Sequence, residues 1–153
     1  MRRPPALVLT AGLGTRLRPL TYLRAKAAVP VNGISLARRV SRWLAAQGVR
    51  DQVFNLHHLP ASVAASIGDG AADGVRVRYS WEQPVLGSAG GPRHALPLLT
   101  DGGHQRFLLV NGDTLTDVDL DGLIAAHQRT GALVTMALIA NPAPDKYGGV
   151  IVT

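Results

Sequence analysis

The chain has 153 residues, 46% of them hydrophobic and 17% charged, which suits one globular domain with a real core and excludes a disordered tail. It has no cysteine, which removes disulfides, thiolate metal sites and cysteine nucleophiles together, and no apolar run reaches the ~18 residues of a membrane span. The net charge of +6 is unevenly placed: ten of the sixteen basic residues lie in the first fifty, where no Asp or Glu occurs, and such a field favours an anionic partner.

The first predicted strand is Ala6–Thr10, an apolar stretch too short for a signal-peptide core, so a cytoplasmic protein without a membrane segment is expected. A long loop follows to Gly33. Ser35 to Gln47 reads as a helix with Leu36, Ala37, Val40, Trp43 and Leu44 on its apolar stripe. Arg38, Arg39 and Arg42 point the other way and read as a solvent face. Gln52–Leu56 is the next strand, Pro60–Ile67 a helix, Gly68–Gly74 a turn cluster, and Val75–Trp81 a strand with an exposed arginine face.

A second glycine-rich loop spans Glu82–Gly91, and a helix leads from it to Leu99. Phe107–Val110 is apolar throughout, as a central parallel strand would be, and ends in Asn111-Gly112-Asp113. A helix over Leu120–Arg129, a strand over Ala132–Ile139, a Pro-rich loop to Tyr147-Gly148-Gly149 and a strand from Val150 to Val152 complete the chain. Alternating strands and helices imply an α/β doubly wound, mostly parallel sheet with ligands at the carboxyl ends of its strands. Glycine-bearing loops follow three of those strands, all at that edge.

The first of these loops carries the strongest chemical signal. An apolar strand empties into Ala11-Gly12-Leu13-Gly14-Thr15-Arg16, with Arg18, Arg24 and Lys26 beyond. Free backbone N–H groups and fixed cations suit a polyphosphate. The loop is not a dinucleotide fingerprint, because Leu17 stands where the third glycine belongs and no acid lies about 20 positions on to hold a ribose. A Walker loop fails as well, for want of a GK[ST] ending. Nucleic acid, the other anionic partner, is disfavoured: aromatics make up 5% of the chain and are not interleaved with the basic residues.

The ordered motifs resemble the sugar-nucleotide pyrophosphorylase (NTP-transferase) family, and the likeness runs through nearly the whole chain. They are Ala11-Gly12-Leu13-Gly14-Thr15-Arg16-Leu17-Arg18-Pro19-Leu20-Thr21, Ala25-Lys26-Ala27-Ala28-Val29-Pro30-Val31, Glu82…Leu86-Gly87-Ser88-Ala89-Gly90, Val110-Asn111-Gly112-Asp113 and Tyr147-Gly148. Leu13 stands in place of a common glycine, and Ala25-Lys26-Ala27 in place of Pro-Lys-Pro. The resemblance implies a Rossmann-like, GT-A-like nucleotide-diphospho-sugar transferase fold, with residues 1–153 forming a single domain.

It also implies a chemistry, in which a sugar 1-phosphate attacks the α-phosphorus of an NTP and pyrophosphate leaves. By that resemblance Ala11, Gly12, Gly14 and Thr15 cradle the phosphates, Arg16 neutralises the β/γ end, and Lys26 sits on the α-phosphate. Asp113 holds Mg²⁺, a hard cation commonly bound by one or two carboxylates plus phosphates; a helix-capping Asp is the other reading. Gln83 and Gly87 match the base-reading loop, and Asn111, Tyr147 and Gly148 match positions near the sugar. The style of these motifs is nearest the guanylyltransferases that use GTP and make GDP-mannose. Thymidylyl or uridylyl transfer to glucose 1-phosphate or an amino-sugar phosphate is the enzyme alternative. A non-catalytic nucleotide-binding module is the alternative of another class, and a homo-oligomer is compatible with all three.

Family members continue into a segment with a Glu-Lys pair and a second metal-binding Asp, so the resemblance implies a C-terminally truncated domain, either a piece of a longer enzyme or one that a partner completes. The remaining candidates carry less. His57-His58 reads as a loop pair; His94, His104 and His127 are isolated; Asp117, Asp119 and Asp121 read as helix capping and N-terminal charge. Ser88 has no triad around it, and Glu82, the chain's single glutamate, reads equally as a loop carboxylate without a role.

Overall fold

The computed structural model describes residues 3–145 and 148–150. These fall into two compact units, Met1–Leu115 and Thr116–Thr153.

The first unit is built on a four-stranded parallel sheet of order β5-β4-β1-β6. Its strands are β1 (Ala6–Leu9), β4 (Asp51–Leu56), β5 (Arg76–Trp81) and β6 (Leu108–Asn111). The two inner strands are buried almost throughout, because helices cover the sheet on each side; β1 is apolar, while β4 mixes apolar residues with the polar Gln52 and Asn55. On one side Leu7 and Val53, neighbours in register, pack with Ala95 and Leu99 of helix α3 (Gly87–Thr100). On the other, Gln52 of β4 is fully buried against helix α1 (Leu36–Ala46). Its amide is satisfied there: Ser41 Oγ donates to Gln52 Oε1 at 2.7 Å, and Gln52 Nε2 donates to the carbonyls of Ser41 and Val49 at 3.0 and 3.2 Å.

The helices start and stop where local chemistry dictates. Ser35 caps α1 by accepting the Arg38 N–H at 3.2 Å, and Gly48, in the left-handed region, ends it. Helix α2 (Pro60–Ile67) opens on a proline, whose missing N–H costs nothing in a first turn. Between β1 and α1 the expected loop holds more structure than its sequence suggests. It winds through three short 3-10 turns, Thr15–Leu17, Leu20–Tyr22 and Lys26–Ala28, into a small hairpin of β2 (Pro30–Val31) and β3 (Ile34–Ser35). Asn32 and Gly33, both at positive φ, supply the turn that a two-residue hairpin requires.

Three expectations are corrected. Arg38 and Arg42 are not merely a solvent face: their Nε atoms donate to the two carboxylate oxygens of Asp73 at 3.0 and 2.8 Å, tying α1 to the turn before β5. The strand after α3 runs Leu108–Asn111 and is not central; among the described residues it pairs only with β1, and Leu109 is 51% exposed. The apolar run 132–139 forms no strand: Leu133 and Ile139 stand in solvent, since period-two hydrophobicity makes a strand only where a neighbour completes the ladder.

Asp73 carries a pH signature. Burial alone would raise its carboxyl, but the hydrogen bonds and charges of Arg42 and Arg38 outweigh burial and hold it below the ordinary carboxylate range. A depressed acid contributes stability that is present above its unfolded pKa and is lost as pH falls through the folded one. The Asp73→Asn variant should therefore be less stable than wild type at pH 7, with the gap closing toward pH 3. Urea midpoints across that range test this; parallel profiles would remove the assignment.

The second unit contains helix α4 (Leu120–Thr130), ended by Gly131 at positive φ. Asp119 occupies the N-cap position but makes no side-chain cap bond, and Asp121 places negative charge in the first turn. His127 is not isolated, for its Nδ1 lies 2.9 Å from Thr135 Oγ1. Of the expected last strand, Val150 is outside any strand and Ile151 and Val152 lie outside the described residues.

Candidate functional site

The carboxyl ends of β1, β4 and β6 open onto a cavity of about 220 Å³ within the first unit. Its floor is the exit of β1, Leu9 to Gly12, and its walls include Lys26, Asn55, Glu82, Gly87, Asn111 and Asp113. Side chains from five separate stretches converge here because parallel strands deliver all their exits to one edge.

Backbone geometry shapes the glycine loop. Gly14 adopts φ +61°, and a Cβ there would lie 2.8 Å from Thr21 Cγ2 and 3.0 Å from Lys26 Cβ. Only glycine lets the loop fold back onto the segment that carries Lys26. Buried Thr21 secures that fold, its hydroxyl donating to the Gly14 carbonyl at 3.0 Å. Helix α2 braces the same segment, where Ser62 Oγ accepts the Ala25 N–H at 2.8 Å.

Lys26 and Asp113, 87 positions apart in sequence by their numbering, form an ion pair at the cavity wall. Each is part-exposed, at 35% and 26%, so a ligand can reach both charges. Asp113 arrives through Gly112, whose N–H donates to the Leu9 carbonyl at 3.0 Å. Among the described residues no group of three or more acidic, histidine or cysteine side chains could cage a metal. A single hard carboxylate beside a phosphate-binding loop does fit a cation that takes its remaining oxygens from a ligand and water.

The other sequence-based candidates are distributed unevenly. Ala11, Gly12, Lys26, Gly87, Asn111 and Asp113 line the cavity together. Thr15, Arg16 and Gln83 are exposed and outside its lining, on the two loops that flank it. Gly148 belongs to the second unit, and Tyr147 lies outside the described residues.

Residues passed over in the sequence form the frame of the site. Glu82 is 1% exposed, and its carboxylate accepts from Asn55 Nδ2 at 2.7 Å and from the Leu86 N–H at 2.9 Å. Asn55 Oδ1 in turn accepts the Thr10 N–H at 2.6 Å. The two histidines leaving β4 divide their work: His57 Nδ1 lies 2.9 Å from the Glu82 carbonyl, and His58 Nε2 lies 2.7 Å from that of Thr21. Two signals were available beforehand: Glu82 is the chain's single glutamate, directly after a strand, and it opens the motif that runs to Gly90.

The fold and cavity together define an α/β domain with an anion-suited ligand site at the carboxyl edge of a parallel sheet. Residues 5–153 match the nucleotidyl transferase family, and the chain belongs to it. It is 33% identical over 143 residues to a mannose-1-phosphate guanylyltransferase of Mycobacterium tuberculosis, covering 94% of this chain and 39% of that protein. It is 41% identical over 149 residues to the N-acetylmuramate alpha-1-phosphate uridylyltransferase of Neisseria meningitidis, covering 94% of this chain and 62% of the relative. The chain thus spans less than two thirds of the length of either. Among solved structures, HddC from Yersinia pseudotuberculosis, complexed with GMP-PN, superposes with a TM-score of 0.72 at 24% identity, over 82% of this chain and 54% of that one. That likeness concerns the fold.

Proposed function

We propose that residues 1–153 act as a single nucleotidyltransferase domain that joins an NTP to a sugar 1-phosphate and releases pyrophosphate, with GTP and mannose 1-phosphate as the preferred pair. The observation that carries this reading is the Lys26–Asp113 pair at the mouth of the glycine loop. A cation and a hard carboxylate side by side suit a phosphate and a divalent metal that would accompany it. The guanylyl preference is supported by the mannose-1-phosphate guanylyltransferases among the relatives.

In this reading a phosphate oxygen of the sugar 1-phosphate bonds to the α-phosphorus, and the bond from that phosphorus to the bridging oxygen of pyrophosphate breaks. Several negative charges must be gathered, so positioning and neutralisation carry the catalysis. The backbone of Ala11, Gly12, Gly14 and Thr15 holds the phosphates, Arg16 faces the β/γ end, and Lys26 meets the charge growing on the α-phosphate. Gln83 and Gly87 contact the base, and Asn111, Tyr147 and Gly148 the sugar phosphate. Mg²⁺ held by Asp113 would supply charge neutralisation and orientation of the phosphates. No helix among the described residues is long and apolar enough to cross a membrane, and we assign the reaction to the cytoplasm.

The test is pyrophosphate release with Mg²⁺ over a panel of NTPs and sugar 1-phosphates, with GTP and mannose 1-phosphate expected to lead. A lead for UTP with an amino-sugar phosphate would favour the second reading, which the 41% identical uridylyltransferase supports. Binding of an NTP with no release from any pair would leave a nucleotide-binding module and sink the enzyme reading.

A further inference from the structure

We infer that Glu82 and Asn55 are positioning residues that set the spacing between the base side and the phosphate side of the nucleotide site, an inference that rests on the nucleotide reading above.

The two loops of that site leave different strands. The phosphate side leaves β1 at Thr10; the base side leaves β5 at Glu82 and turns at Leu86 into α3. β4 runs between β1 and β5, so Asn55, one residue before its end and in register with Leu9 and Ser80, reaches both. Asn55 Oδ1 takes the Thr10 N–H, and the Thr10 hydroxyl donates back to the Asn55 carbonyl. Asn55 Nδ2 donates to one Glu82 oxygen, while the other oxygen takes the N–H of Leu86, the N-cap residue of α3. An unbroken chain of hydrogen bonds therefore runs from the start of the glycine loop to the N-cap of the base-side helix.

The chain is also sealed from behind. A Cβ on Gly91 would lie 2.5 Å from Glu82 Oε1 and 3.0 Å from Asn55 Nδ2, so the backbone of α3 rests directly on the pair. A carboxylate this deeply buried is costly wherever a neutral or apolar side chain would fill the space. Only a carboxylate, however, presents two acceptors to the two donors that meet here. Its negative charge also faces the N-terminal end of α3, where charge of that sign is favoured.

The polarity of the chain suggests its own test. In Glu82→Gln the amide NH₂ must face one of two donors, so one link is lost. Asn55→Asp alone sets two carboxylates against each other. In the exchanged pair, Asn55→Asp with Glu82→Gln, every link returns: the carboxylate at position 55 accepts from Thr10 and from the amide at position 82, whose oxygen accepts from Leu86. Affinities for GTP, the other NTPs and inorganic triphosphate are measured by calorimetry on each variant, with circular dichroism as the fold check. Glu82→Gln is expected to weaken the preferred NTP about tenfold, as loss of a hydrogen bond to a charged group would. Inorganic triphosphate, which has no base, should stay within about twofold by the same reasoning, since its loop contacts are untouched. The exchanged pair should restore the NTP.

Equal loss for both ligands in a folded Glu82→Gln, or no restoration in a folded exchanged pair, overturns the inference. Should Glu82→Gln not fold, the exchanged pair decides alone: a wild-type ratio of the two affinities supports the inference, and an altered ratio or failure to fold overturns it. Wild-type protein that binds inorganic triphosphate and no NTP is a different result, which overturns the nucleotide reading first and this inference with it.

Discussion

On the proposed reaction, Lys26→Ala should lower pyrophosphate release by about a thousandfold, the cost of removing a preorganised group that would face charge developing in the transition state. The side chain is held in place from two directions, for Gly14 packs against its Cβ and Asp113 holds its ammonium. Arginine is not an adequate replacement, because its planar fork is wider than a compact ammonium and would displace Asp113 from the same contact. The fold should survive, since the side chain is part-exposed and lies in no apolar cluster. Steady-state release in the panel described above, with circular dichroism to verify folding, is the measurement. Turnover retained within tenfold would refute the role given to Lys26.

The largest effect on stability is expected at Phe54. It is fully buried in β4, with its ring 6.4 Å from that of Tyr79 on the neighbouring strand. Phe54→Ala removes the largest fully buried side chain among the described residues and leaves a cavity that flanking strands, fixed by their ladders, cannot close. The expected loss is about 3–5 kcal/mol, a large share of the ~5–15 kcal/mol that holds a typical domain folded. At about 2–4 °C per kcal/mol for a chain of this size, the melting point should fall by roughly 10 °C. Urea unfolding measures the same quantity; a loss under about 1 kcal/mol would mean that the sheet relaxes into the space.

What the sequence reveals depends on how local its causes are. Helices α1 and α2 and strands β1 and β4 are legible to within a residue or so, because apolar period, the cap at Ser35 and the proline at position 60 act over a few positions. The glycine loop and the Asp113 turn are legible for the same reason, and the topology then brings Lys26 to Asp113. What fails is whatever needs a distant partner. The run 132–139 has the composition of a strand and no ladder; Arg38 and Arg42 have the spacing of an exposed face, yet meet Asp73 from over thirty positions away. Glu82 is the sharpest case. Nothing in its neighbours announces that a lone carboxylate is buried, since the donors that justify burial come from β4 and from the start of α3.

The two histidines at the end of β4 have a consequence for the entropy of binding. Each ring ties a loop carbonyl to the strand that is buried from Gln52 to Leu56. Loops that hang free must be ordered when a ligand arrives, and each side chain stilled then subtracts about 0.5–1.5 kcal/mol from the affinity. Here the backbone at Thr21 and at Glu82 is stilled during folding, when the strand itself is laid down. A ligand entering the cavity that Lys26 and Glu82 line would meet that ordering already complete.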